Sequence, residues 1–504
     1  MKSMDIRLKA FCLTCVIFAP TTLILAQFDS ANVRLGLFLT SASKQYQPFW
    51  NTMKRFGTIS DYQTDITSYV KASNQHILSR TETLDEDLMV AYRDLSLEYG
   101  VSLYNNYQFN HTFVQEGYAR ISYGSMALTA GKYEEILNDD NASISSGSLG
   151  VSGNSMPIPK VSFAVSDYSN LSFTGGWVSA KGSIAHGWFG NNRYMKDGYY
   201  HEKTLYLRVG QGDLKFYGGV QHYAEWGGRR TGLAIVDQSL NGFMSVLLVR
   251  KNKDEVRDSA EAGGRISKVA DHRGLVELGV YYDNEFFKYQ GYIQMATEDR
   301  KLIGGKNKGT LFGFAIKPKD EESILTSALI EVVYSKKKEA FVSNEKSSSL
   351  YNNPDFKTGW EYEDKVIGNP LFLNRKTANK YYPEINPFNW DTLSNDIPKN
   401  SNIISNDLFA FHAGASYDLG TLKGKVLLTY VQYFGDLKFN SPFAPSKTQI
   451  YTLNEFTYEL PDYNLNLKAG FGIDFGDLSN NFGGLFGLEW KVPVGKNKLG
   501  YQSW

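Results

Sequence analysis

Cysteine is absent beyond position 15. Cys12 and Cys15 both fall in an N-terminal stretch that reads as an export leader, so the exported chain has no disulfide and no thiolate metal ligand. Long apolar runs are scarce as well. After Leu25 no stretch approaches the ~20 residues of a membrane-spanning helix, and the mean hydropathy is −0.34. Neither sign of charge dominates, with 53 basic and 53 acidic residues; that balance gives no electrostatic case for nucleic acid. Of the seven histidines, no two stand four residues apart as in a helical metalloprotease site. A G-x-S-x-G elbow, a Walker loop and a D-x-D-x-D-G calcium loop are also missing. The expectation is a non-enzyme without cofactor or metal, although a catalytic group assembled from separate strands would leave no such motif.

The leader is read from Lys2, Arg7 and Lys9, the apolar run Ala10 to Leu25 and the small residue Ala26. That order of charge, apolar core and small residue places cleavage after residue 26, with 27–95 and 96–504 as the remaining regions. Without Lys2, Asp5, Arg7 and Lys9 the chain carries 50 basic and 52 acidic residues, a balance of −2.

What the sequence does contain is 33 Tyr, 31 Phe and 46 Gly. An exported chain rich in these residues and poor in apolar helices suits a membrane barrel, whose strands alternate lipid-facing and lumen-facing side chains. Leu465, Leu467, Ala469, Phe471, Ile473 and Phe475 form one face, and Asn466, Lys468, Gly470, Gly472 and Asp474 the other. Backbone groups left unpaired in hydrocarbon cost several kcal/mol each, so a spanning sheet must close on itself.

Similar alternation recurs from 97–106 to 482–492, the set including 160–166, 243–250 and 263–269. The prediction is an all-β membrane protein, a closed antiparallel transmembrane β-barrel of about 18 strands. Loop lengths then sort by parity. Short connections at 123–124, 167–170, 211–212, 283–285, 318–322, 419–423 and 461–463 would be periplasmic, the charged stretch 251–262 being the one exception. Connections such as 133–159, 185–202, 224–242 and 336–407 would face outside.

Asn481-x-Gly483-x-x-Phe486-x-Leu488 fits a final strand read by the barrel-assembly machinery, and outer-membrane lipid is the other expected partner of the wall. Ahead of the barrel, 27–95 is expected to be a short helical periplasmic region. Thr83 and Glu86 form a capping box there, with Leu84, Leu88, Ala91 and Leu95 at helical spacing.

The outside loop 336–407 is unusually long. It carries Tyr351, Trp360, Tyr362 and Trp390 among Asn352, Asn353 and Asn369, whereas disordered segments lack aromatics. Sugars present C–H faces and hydroxyl rims, which aromatic planes flanked by amides match. The same rings could instead pack a plug over the pore. Trp188 and Trp226, in other outside loops, are further candidates, or members of an interfacial aromatic girdle.

Three stretches resemble the Wzi-type capsule assembly proteins in the form common among Bacteroidetes-like bacteria. They are Pro48-Phe49-Trp50 with Phe56-Gly57; Ser145-Ser146-Gly147-Ser148-Leu149 with Ser155-Met156-Pro157-Ile158-Pro159-Lys160; and Tyr351-Asn352-Asn353 with Gly359-Trp360-Glu361-Tyr362 and Ile367-Gly368-Asn369-Pro370. Asn406-Asp407 stands where that family would have an asparagine–arginine pair. The resemblance implies an 18-stranded outer-membrane barrel with a periplasmic helical element, acting as a lectin that attaches or organises capsular polysaccharide at the cell surface; the barrel itself is expected to be a monomer or weakly associating. The alternative is a pore for small solutes, with Arg208, Glu277, Lys468 and Asp474 lining water.

Overall fold

The computed structural model describes residues 31–84, 90–136, 141–230, 236–250, 270–298, 307–335, 349–353, 355–394, 402–434 and 442–493. The expected leader, Glu86 of the expected capping box, Leu88 of the helical spacing, the expected strand 263–269 and Trp504 lie outside these residues. Alternation dominates what is described. The first nine strands are β1 (Asn32–Tyr46), β2 (Tyr62–Leu84), β3 (Val90–Asn106), β4 (His111–Tyr123), β5 (Met126–Lys132), β6 (Lys160–Asn170), β7 (Val178–Gly190), β8 (Gly198–Val209) and β9 (Leu214–Trp226). They continue as β10 (Ala270–Asp283), β11 (Phe287–Thr297), β12 (Asn307–Pro318) and β13 (Leu325–Tyr334). After a two-residue pair inside the long loop, β14 (Glu361–Tyr362) and β15 (Lys365–Val366), the wall resumes. Its last strands are β16 (Leu408–Asp418), β17 (Leu422–Tyr433), β18 (Lys447–Leu460), β19 (Leu465–Gly476) and β20 (Asn481–Val492).

Each wall strand pairs antiparallel with the next, and β20 pairs with β1 from Val33↔Val492 to Ala42↔Gly483, closing an 18-stranded barrel. The Asn481–Leu488 motif thus lies on the closing strand. Closure leaves no sheet edge to desolvate. Leu37, Leu39, Leu205, Leu278, Phe312, Phe471, Ile473 and Phe486 are exposed on the outer face, where lipid would cover them. Tyr69, Tyr206, Tyr217 and Tyr292 point inward, each with its ring across a glycine of the neighbouring strand: Gly36, Gly219, Gly279 and Gly313. A Cβ at Gly36, Gly219 or Gly313 would fall 2.1 Å from the ring. The abundance of tyrosine and glycine is therefore one feature, flat rings laid over backbone that carries no side chain.

The expected helical region is corrected. Residues 32–46 and 62–84 are β1 and β2, and the wall begins at Asn32 rather than at 96. On β2, Asp65, Thr67 and Tyr69 are buried inward, while Ile66, Ser68, Val70 and Ala72 are only partly exposed outward. A serine and an alanine on the lipid face dilute the alternation, and the ladder to β1 and β3 overrides the helical spacing. A second correction concerns 243–250, where the chain forms helix α2 (Leu240–Leu247); the other short helices are α1 (Phe49–Thr52) and α3 (Arg375–Ala378). Trp188 and Trp226 belong to β7 and β9 rather than to loops.

Connections on the side of the two barrel termini are brief, as at 124–125, 210–213, 284–286, 419–421 and 461–464. The opposite end carries 47–61, 133–159, 227–269 and 335–407. Short turns face the periplasm in such barrels, so the long connections mark the outer mouth. The charged stretch 251–262 is no exception, because it lies within the outer connection 227–269.

Candidate functional site

Three outer connections fold back into the lumen and pack against one another. From 47–61, α1 descends along the wall. Phe49 stacks on Tyr451 with ring centroids 4.2 Å apart, its N–H donates to Asp474 (2.9 Å), and Trp50 Nε1 donates to Thr429 Oγ1 (3.0 Å). From 133–159, a Ser/Gly-rich segment turns its amides toward inward side chains. Ser146 N donates to Glu331 (2.6 Å) and Leu149 N to Gln294 (3.0 Å). These polar wall residues supply acceptors for a backbone that has no secondary structure of its own.

The long loop locks onto that segment. Tyr351 Oη donates to the Leu149 carbonyl (2.7 Å), Trp360 Nε1 to the Gly150 carbonyl (2.8 Å), and Asn369 Nδ2 to the Gly147 carbonyl (2.6 Å). Asn352 pairs with Ile403 through both its amide groups, at 2.8 and 3.1 Å, and Asn353 Nδ2 donates to Asp271 (2.7 Å). Gly57 meets Met156, and Phe56 N donates to the Gly153 carbonyl (2.8 Å). The three stretches that carry the capsule-protein resemblance thus converge in one plug.

Charge fastens the plug to the wall. Arg193 holds Glu225 in a two-pronged contact and donates to the Glu361 carbonyl (3.3 Å). Arg273 bridges Asp271 and Glu298, whose other oxygens accept from Asn353 and from Tyr351 N. Lys160 joins Glu135 to Glu202, and Asp61 accepts from Lys365 (3.1 Å) and Lys380 (2.8 Å). Burial opposes ionisation of Asp61, but its two lysines hold the carboxyl well below the usual range.

Seven candidate residues, Tyr351, Asn352, Asn353, Trp360, Tyr362, Asn369 and Trp390, are all at most 8% exposed. In this closed arrangement they offer no open face to a ligand from outside, and the packing role is the one their contacts describe. Trp226 is also buried, on the outer face of the wall, while Trp188 is exposed there beside Tyr199 and His186. Of the four charged wall residues suggested to line water, Glu277 and Asp474 are buried against partners, whereas Arg208 and Lys468 stay partly exposed on the inner face. Glu277 accepts from Tyr206, Tyr217 and Gln294, Asp474 from Phe49 N, Arg208 donates to Ser179, and Lys468 pairs with Glu489. Between Ser145, Ser148 and the wall residues Glu277, Gln290 and Glu331, only about 10 Å³ stays open, room for one water.

Among the described residues of the long loop, the stretch 375–394 faces outward. Lys376, Pro383, Glu384, Asn386, Pro387, Asn389 and Asp391 are exposed around half-buried Phe388. Arg375 lies 4.2 Å from the Phe388 ring, and Trp390 meets that ring edge-on at 5.6 Å. Arg230 donates to the Trp390 and Leu393 carbonyls and anchors the patch to the rim. Of these residues only Trp390 stands out in the sequence as a candidate. The Asn-Pro-Phe-Asn-Trp spacing is the signal that could have found the others.

Glu361 is enclosed beside the patch, accepting from Asn374 Nδ2 (2.6 Å) and from Asn402. Burial pushes its carboxyl up from 4.5 to about 7, against the pull of the two amides and Arg193. A raised folded value means that this contribution is complete below pH 4.5 and is lost as pH rises through 7. Its full size is on the order of 3 kcal/mol. The plug is therefore expected to become more protease-accessible as pH rises from 4.5 through 7, and Glu361→Gln to flatten that change. An equally steep profile in the glutamine variant would assign the effect to another group.

No family model and no curated protein matches the sequence. Among solved structures the chain is similar to Wzi, described as an outer membrane protein involved in group 1 capsule assembly in Escherichia coli and a carbohydrate-binding β-barrel. The TM-score is 0.54 at 11% identity, covering 94% of this chain and 86% of that one. Looser likenesses link it to Pseudomonas aeruginosa OccK5 (TM-score 0.45, 9% identity, 92% and 98% covered) and OprD (TM-score 0.43, 8% identity, 92% and 94% covered). At these identities the fold is what is shared, that of an outer-membrane β-barrel.

Proposed function

We propose that this barrel is a non-catalytic anchor for capsular or related surface polysaccharide, a Wzi-type lectin that acts as a single barrel. The observation that carries the reading is the packed lumen. Three connections bonded to the wall leave little space for solute transit, so recognition falls to the outer mouth. The surface there has the composition that sugar binding needs, with a half-buried ring and a guanidinium plane beside exposed amides and carboxylates. The shared barrel of a carbohydrate-binding capsule protein and the three resembling stretches support the same reading. Tyr351, Trp360, Tyr362, Asn369 and Trp390 then shape the platform from beneath, and Arg375, Asn386, Phe388 and Asn389 meet the polymer.

The test is a Phe388→Ala, Trp390→Ala double variant in the encapsulated host. The lost Phe388 ring is worth ~1 kcal/mol of stacking and Trp390 is its edge-on support, so polymer affinity should fall about five- to tenfold. Cell-attached capsule should drop and released polymer rise while the amount of inserted barrel stays constant. Normal capsule retention by a fully inserted double variant would reject the patch.

A further inference from the structure

Helix α2 is the one described α-helix outside the barrel. Ser239 caps it, accepting from Gly242 N (3.3 Å), and Lys203 Nζ donates to the Leu247 carbonyl at its other end. Its inner side lies on the outward faces of β8, β9 and β10, where Val246 and Phe243 pack against Ala224, Trp226 and Ala270. Phe243 also meets His186 (5.7 Å) and His201 (5.9 Å) edge-on.

The outward row on these strands changes character along its length. Toward the periplasm it is apolar and exposed, with Leu205, Leu207, Val209, Phe216 and Leu278 between 42% and 58% accessible. Toward the outer mouth it becomes His201, His222 and His272, which are buried at 0%, 1% and 7%. His222 Nε2 lies 2.9 Å from His272 Nδ1. Polar rings on a lipid-facing wall are costly, and here a helix lies at the same end of the wall.

The helix itself is not amphipathic in the usual sense. Opposite its packed side, Leu240, Met244 and Leu248 form a line at i, i+4 and i+8 and are 75%, 40% and 46% exposed. A segment apolar on both sides requires a cover on both. The wall covers one. Exposed Trp188 and half-exposed Tyr199, joined to α2 through His186, place it at the height of an interfacial aromatic girdle, and exposed Arg250 follows two residues beyond Leu248.

We propose that α2 lies in the outer leaflet as an in-plane strap, its Leu240–Met244–Leu248 line covered by lipid acyl chains and its inner side sealing the histidine row. The occupant is lipid rather than protein because α2 packs on the outward face of β8–β10, the same strands that carry the exposed apolar row of Leu205, Phe216 and Leu278. This inference is independent of polysaccharide binding.

A nitroxide at Met244→Cys tests it, in full-length barrel reconstituted into phosphatidylethanolamine/phosphatidylglycerol vesicles, with Cys12 and Cys15 replaced by Ser where they persist. Leu205→Cys gives the lipid reference and Asp391→Cys the water reference. Power saturation should find the Met244 label relaxed more by oxygen than by a water-soluble nickel chelate, as at Leu205. Nickel dominance, as at Asp391, overturns the proposal, and so does shielding from both relaxants, which would mean a protein cover such as a second copy. Leu240→Cys repeats the measurement at a more exposed position, and heat-modified gel migration confirms that each variant is folded.

Discussion

Replacing Trp360 with alanine is expected to loosen the plug by about 3–5 kcal/mol and to turn a silent barrel into an intermittently conducting one. The indole is 1% exposed and packs between Tyr200, Tyr223 and Arg273, with ring centroids 6.1 and 5.3 Å from the two tyrosines. Truncation removes those contacts, leaves a void, and strips the Gly150 carbonyl of its donor. The backbone ladder that closes the wall does not pass through residue 360, so the damage stays in the lumen. Heat-modified gel migration of the barrel should therefore change little, while planar-bilayer recordings acquire brief openings and the long loop becomes protease-sensitive. The Phe388→Ala, Trp390→Ala variant should behave oppositely, losing polymer without gaining conductance. A wild-type barrel with steady conductance would favour the solute-pore alternative, and a Trp360→Ala barrel as silent and protected as wild type would show that the plug does not depend on this ring.

The wall was largely legible from period-two alternation, because lipid on one side and lumen on the other impose opposite polarity on successive residues. Its count of eighteen was reached through differences that offset one another. β1 and β2 are hidden in the sequence, since Ser68 and Ala72 interrupt the lipid face of β2 and the spacing of Leu84, Ala91 and Leu95 mimics a helix. In their place stood 243–250, which is α2, and 263–269, which lies outside the described residues. An even number of strands separates the sequence reading from the structure, so the same long connections group at one end of the barrel although the sequence places the start of the wall too late.

The lumen was harder to read. Glu277, Gln294 and Glu331 look like channel lining when each strand is viewed alone. Only the folded chain reveals that the Ser145–Leu149 amides return to meet two of them and that tyrosines satisfy the third. The loop aromatics were likewise ambiguous. A tryptophan beside asparagines has the same local sequence whether it stacks on a sugar or fills a core, and the difference lies in contacts some two hundred residues apart. Gly150 with Trp360 and Gly147 with Asn369 are two such contacts.

Arg273→Met should release the plug about as strongly as Trp360→Ala, through charge rather than volume. Arg273, Asp271 and Glu298 have side chains at most 5% exposed, and the two carboxylates also hold Asn353 and the Tyr351 amide of the long loop. Removing the guanidinium leaves two acids of like sign in a low-dielectric site, which costs on the order of 3–5 kcal/mol. The surrounding plug can escape that cost by opening to water. Replacing all three, as Arg273→Met with Asp271→Asn and Glu298→Gln, removes the uncompensated charge and keeps acceptors for both loop donors. Most of the loss should then be recovered, a strong non-additivity. Limited proteolysis of the long loop across this series measures it. If the triple variant is as open as the single one, the arginine acts by packing against Trp360 and not by neutralising its neighbours; if the single variant is as closed as wild type, these charges do not hold the plug at all.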